Sequence, residues 1–99
     1  MKIKIQAIGF SATEQLETFI NKKISKLEKF FDDIVSVDVN LKVVKPESAQ
    51  NKEVDIKVKV PNSEFFASKT SDTFEESTDV AVEALEKQLA KHKEKQRPK

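Results

Sequence analysis

Between Ile34 and Val60 the apolar residues fall on every second position: Val35, Val37, Val39, Leu41 and Val43, then Val54, Ile56, Val58 and Val60. A period of two puts one face of each segment out of water and leaves the other polar, so it specifies half-buried strands and argues against helix. Ile34–Val44 is therefore expected as one strand and the run ending at Val60 as another. The polar stretch Lys45–Asn51 between them, with Pro46, reads as a hairpin loop longer than a two-residue turn. Pro61-Asn62-Ser63 predicts a second turn, and Glu64–Ser71 a short further strand bearing Phe65 and Phe66. Near the start, Lys2–Ile8 also alternates, with Ile3, Ile5 and Ala7 against Lys2, Lys4 and Gln6. Gly9 then opens a turn.

Two segments break this rhythm and change to spacings of three and four. Leu16, Ile20, Ile24, Leu27 and Phe31 predict a helix that begins near Ser11–Thr13 and runs to about Phe31, where Asp32-Asp33 ends it. Thr73 with Glu76 three residues later predicts a capping box that opens a second helix, with Ala81, Val82, Leu85 and Leu89 on its buried side. The order β-α-β-β-β-α defines an α+β fold. The first two strands, joined by a helix, are expected as parallel neighbours with a right-handed crossover, and the later strands follow as antiparallel hairpins. Both helices are expected on one face of a four-stranded mixed sheet. Residues 1–95 are expected to form a single domain, and Gln96–Lys99 a basic tail.

Composition removes several functional classes. With no cysteine there is no disulfide framework, thiol nucleophile or thiolate metal site. One glycine in 99 residues does not build a phosphate-cradling loop. His92 is the sole imidazole, without the spacing of a metal site or a triad. Asp32-Asp33 and Glu75-Glu76 fit helix ends better than acid-base pairs, because carboxylates favour a helix N-terminus and polar residues stop a helix. An enzyme, a cofactor and a metal are therefore not expected. No apolar run approaches a membrane span and the alternating N-terminus is unlike a signal peptide, so the chain is expected in the cytoplasm with no membrane partner.

Charge supplies the positive signal. The chain holds 18 basic and 17 acidic residues, yet along the last helix the charges are sorted. Asp72, Glu75, Glu76, Asp79 and Glu83 occupy its start, whereas Lys87, Lys91, Lys93, Lys95, Arg97 and Lys99 crowd its end. On the first helix Lys22, Lys26 and Lys29 lie at i, i+4 and i+7, with Lys23 beside them. Lysine stripes on two adjacent helices are expected to flank one groove, where they would neutralise phosphates and release counterions. His92 falls seven residues after Leu85, which suits packing a little better than ligand contact, while its lysine neighbours keep the second reading open. The outer sheet face should carry Lys2, Lys4, Asp38, Lys42, Asp55, Lys57 and Lys59 without an aromatic platform, which argues against stacking of bases on the sheet. Phe19, Phe30, Phe31, Phe65, Phe66 and Phe74 are all assigned to the core or its rim.

Three stretches carry a family resemblance. Leu85-Glu86-Lys87-Gln88-Leu89-Ala90-Lys91-His92-Lys93-Glu94-Lys95 resembles the closing helix of the bacterial ribosome hibernation promoting factors and of ribosome-associated inhibitor A. Lys23-Ile24-Ser25-Lys26-Leu27-Glu28-Lys29-Phe30-Phe31 is similar to the family's first-helix pattern, and Phe66-Ala67-Ser68 to a triplet of its last strand. The matches occur in the family's order and span essentially the whole chain. The resemblance implies a domain similar to a double-stranded-RNA-binding domain, seated on the small ribosomal subunit and its rRNA in the channel used by mRNA and tRNA. There it would block translation in stationary or stressed cells by occupancy, without a small-molecule substrate. By position, Lys23, Lys26, Lys87, Lys91, Lys93 and Lys95 match the family's basic residues, and Lys22, Lys29 and His92 complete the candidate set. The chain resembles a short form, expected to be monomeric off the ribosome. A general double-stranded-RNA-binding module and a protein-interaction domain that docks a basic partner on its acidic first turn are the alternatives.

Overall fold

A computed structural model of the protein describes every residue except 46, 48 and 97–99, and the side chains of residues 93–96 lie outside the description too. The elements are β1 (Lys2–Ala7), α1 (Glu14–Ser25) continued by a 3-10 turn (Lys26–Lys29), β2 (Ser36–Val43), β3 (Lys52–Val60), β4 (Ser63–Ser71) and α2 (Phe74–Gln96). The sheet order is β1-β2-β3-β4, with β1 and β2 parallel and the remaining pairs antiparallel. This is the expected α+β arrangement. The helix between β1 and β2 makes them parallel, and the two loops that follow are too short for anything but hairpins.

Register aligns the alternating residues into rows across the sheet. Ile3, Val37, Val58 and Phe65 form one such row, and Ile5, Val39, Ile56 and Ala67 the next. These side chains meet Leu16, Ile20, Ile24 and Leu27 from the first helical segment and Ala81, Val82, Leu85 and Leu89 from α2 in one core cluster. Each large aliphatic side chain buried there contributes roughly 1.5–3 kcal/mol of transfer free energy. The alternation of β2 overruns its buried part: Val35 and Val43, at 52% and 40% exposure, lie beyond the helices' cover.

Local chemistry sets the ends. The Thr13 hydroxyl accepts from the Leu16 N–H at 3.1 Å, and the Thr73 hydroxyl accepts from the Glu76 N–H at 3.1 Å, so both helices start on side-chain caps. Gly9 adopts φ +84°, a conformation an L-residue avoids. Asn62 at φ +68° follows Pro61, the signature of a type II turn, and closes β3 onto β4. The first helix departs from expectation, because its α-geometry stops at Ser25 and not near Phe31. The Asn21 amide donates to the Glu17 carbonyl at 3.0 Å and the Ser25 hydroxyl to the Asn21 carbonyl at 2.8 Å. Such back-bonding competes with the helical ladder, and the last turn tightens to 3-10. The helix α2 reaches Gln96, the first residue of the expected tail, while 97–99 lie outside the described residues.

A second correction concerns Phe66. Adjacent strand residues face opposite ways, so Phe65 and Phe66 do not both enter the core. Phe65 does; Phe66 is 58% exposed on the outer face, in the row Lys4, Asp38, Lys57, Phe66. That face does carry one aromatic ring, at its β4 edge.

Candidate nucleic-acid interface

Contacts between the two helices follow the same order along both. Phe10, before α1, stacks on Phe74 at 5.2 Å; Lys23 pairs with Asp79 at 2.9 Å; Phe31 meets His92 at 5.4 Å. The helices are therefore parallel, as they must be when each leads back from the end of a co-oriented strand. Their N-termini share one end of the layer, with Glu14, Glu17, Glu75 and Glu76 in the first turns. Their C-termini share the other, with Lys22, Lys26, Lys29, Lys87 and Lys91 exposed toward it. The dipoles add with the same sign, and each favours the charges found at its ends.

The groove between the helices differs from the lysine-flanked trough that the spacing suggests. It is lined by Lys23 and Lys26 from one side but by Asp79, Val82, Glu83 and Glu86 from the other. Lys23 is committed inside it. Its hydrogen bond to Asp79, then the Asp79 charge, holds the ammonium pKa above the ordinary lysine value, and the ammonium lies over the Phe19 ring, 5.4 Å from the centroid. Helical geometry explains the acids. Asp79 and Glu86 stand about two turns apart on the flank of α2 that faces α1, whereas Lys87 and Lys91 project outward and toward β4. Lys87 approaches Glu83 only at 4.0 Å with both side chains largely solvated, a pairing that leaves its charge nearly free.

The candidate residues thus separate into four groups. Lys22, Lys26, Lys29, Lys87 and Lys91 are exposed cations of the basic end, and Lys23 spans the two helices. Lys93 and Lys95 follow in α2, and their side chains lie outside the described residues. His92 packs against two phenylalanines and also lines a surface beside Gln88 and Lys91. Its ring sits 5.4 Å from Phe31 and 5.1 Å from Phe65, and its buried Nε2 has no hydrogen-bond partner among the described residues.

One cation escaped the sequence reading. Lys69 pairs with Val54 in the register, so it lies on the helix-bearing side of β4, where Phe65 and Ala67 precede it at alternate positions. At the edge of the sheet it reaches solvent beside α2 and lines a shallow surface with Val80, Glu83, Ala84 and Lys87. A lysine in an inward register of an edge strand was the available signal.

Residues 3–97 match the model of the family described as Sigma 54 modulation protein / S30EA ribosomal protein. The chain belongs to that family. Among S30EA relatives, the ribosome hibernation promoting factor of Azotobacter vinelandii is 31% identical over 96 residues, covering 97% of this chain and 86% of the relative. The factor of the same name from Escherichia coli (strain K12) is 34% identical over 95 residues, covering 96% of both. The structure of a ribosomal subunit interface protein from Coxiella burnetii superposes with a TM-score of 0.84 at 28% identity, over 94% of this chain and 98% of that one. The N-terminal domain of Thermus thermophilus Protein Y shares the fold, with a TM-score of 0.81 at 20% identity over 93% of this chain.

Proposed function

We propose that the protein is a ribosome-binding translation silencer that acts by occupancy and performs no catalysis. It binds the small subunit through rRNA, fills the channel used by mRNA and tRNA, and holds ribosomes inactive in stationary or stressed cells. The observation that carries this reading is the shared basic end of the two parallel helices, which concentrates Lys22, Lys26, Lys29, Lys87 and Lys91 within one charged rim. The exposed lysines of that rim suit a phosphate backbone, and the sequence-independent affinity they supply falls as salt rises. Family membership and the hibernation-factor relatives support the ribosome as the source of that RNA. A rigid frame favours it as well, since both helices are tied to the sheet by one core. The site of action is the cytoplasm, where ribosomes translate; no helix among the described residues is long and apolar enough to cross a membrane.

Sucrose-gradient sedimentation tests this. The protein is expected to travel with small subunits at low salt and to return to the top of the gradient as salt rises. Changing Lys87, Lys91 and Lys95 together to glutamate is expected to abolish the association. A wild-type protein that stays at the top in a starved-cell lysate defeats the proposal, and equal binding to any duplex RNA favours the general RNA-binding module.

A further inference from the structure

We infer that the RNA-contacting surface extends from the basic rim along the flank between α2 and β4, and that Lys69 is a phosphate contact there. The inference rests on the ribosome-binding reading and adds a direction to it. Two routes lead away from the rim over the helix layer. The groove between the helices carries Asp79, Glu83 and Glu86 on its α2 side, and its Lys23 is already engaged by Asp79 at 2.9 Å. A phosphate entering it would meet carboxylates and displace an existing ion pair. The opposite flank carries Lys69, Lys87 and Lys91, with Glu83 as the acid among its lining residues. Glu83 stands 4.0 Å from Lys87 in a solvated pair, so the flank remains net cationic.

The flank is also held in place. The Gln88 amide donates to the Phe66 carbonyl at 3.2 Å, fastening α2 to β4 between Lys87 and Lys91. The Ser77 hydroxyl donates to the Lys52 carbonyl at 2.6 Å, fixing the other end of the helix over β3. Elements joined in this way hold the roots of these lysines at a fixed separation, while the flexible stems let each ammonium reach its own phosphate. Exposed Val80 and partly buried Ala84 line the same surface as Lys69 and Lys87, an apolar patch suited to the ribose face of a strand. Protection of the sheet edge accounts for a charge at position 69. It does not account for the alignment of that charge with Lys87 and Lys91 on a single flank.

The test compares two single-charge changes on opposite faces. Lys69→Gln and Lys4→Gln each remove one positive charge, and Lys4 stands on the outer sheet face away from the helices. Binding to purified small ribosomal subunits is titrated against salt, with circular dichroism confirming that each variant folds. Lys69→Gln is expected to weaken binding several-fold at low salt and to reduce the slope of log affinity against log salt by about 0.7–0.9, one phosphate's share. Lys4→Gln is expected to leave the slope unchanged. Equal effects of the two variants overturn the flank while leaving the ribosome reading intact. Absence of wild-type binding overturns both. Crosslinking of position 69 to a ribosomal protein instead of rRNA overturns the assignment of the partner.

Discussion

Single residues show how the same chemistry can serve structure or binding. Lys23 sits in a lysine-rich run, yet the fold spends its charge on Asp79. A group whose pKa is raised in the folded state adds stability that is complete below its unfolded value and fades as pH climbs through the folded one. The Lys23–Asp79 contribution therefore persists across the neutral range and disappears only above about pH 10.5. Urea melts of wild type and Asp79→Asn should differ slightly at neutral pH, the pair being solvent-screened, and converge at strongly alkaline pH. The same variant frees Lys23 and removes an acid, so its affinity for small subunits at low salt should rise. His92 is the converse case, a titratable residue among lysines that the fold places between Phe31 and Phe65. His92→Phe should preserve both the thermal midpoint and subunit binding, whereas Lys91→Gln should keep the midpoint and lose affinity. A marked loss of binding in His92→Phe would mark the histidine as a contact. Gly9 has empty space around a notional Cβ, so Gly9→Ala tests backbone strain alone. At φ +84° it should cost about 1 kcal/mol, read as a fall in the thermal midpoint of roughly 4–8 °C.

At the scale of elements, the caps, the 3-10 turn and the edge strand decide where the charges stand. The cap at Thr73 fixes the start of α2, and with it the angular position of every lysine along the helix. Thr73→Ala removes the acceptor for the Glu76 N–H and should lower stability by about 1 kcal/mol. Its effect on RNA binding should be small, because the core contacts of Leu85 and Leu89 still hold the helix. Leu85→Ala is the stronger perturbation. That side chain is fully buried, and its truncation should cost roughly 2–5 kcal/mol and loosen α2 from the sheet, weakening subunit binding without touching a charge. The tightened end of the first helix has a subtler consequence. A 3-10 turn advances about 120° per residue instead of 100°, so Lys26 and Lys29 stand one above the other, on the side of the helix where Lys22 also lies. On the outer sheet face, Lys42 is held by Asp55 at 3.1 Å and Glu53 at 3.8 Å, its pKa raised mainly by the Asp55 hydrogen bond, so those charges are largely balanced.

For the whole molecule the decisive property is polarity. Two parallel helices, each acidic at its start and basic toward its end, give a nearly neutral chain a strongly asymmetric field. Association with an anionic particle should accordingly be fast at low salt and slow steeply as salt rises, a dependence that stopped-flow mixing with small subunits would measure. A rate insensitive to salt would remove steering from the mechanism. Much of this architecture was legible in the residues. Alternation located the strands, three-and-four spacing located the helices, and the Thr13 and Thr73 caps marked their starts, because each signal depends only on local geometry and on which face meets water. The ends of the first helix and of β2 were misplaced, since side-chain back-bonding and the reach of the helices' cover are not written in periodicity. The Phe65-Phe66 pair shows a local rule applied incompletely: alternation required one ring to face outward. The candidate site was legible as a list of lysines but not as a surface. By itself, the sequence determined the elements, their order and the sorting of charge along α2. Only the tertiary structure decided that Asp79 engages Lys23, that His92 packs against phenylalanines, and that Lys69 joins Lys87. Those are relations between residues far apart in the chain, and packing the two helices on a single sheet face sets their distances.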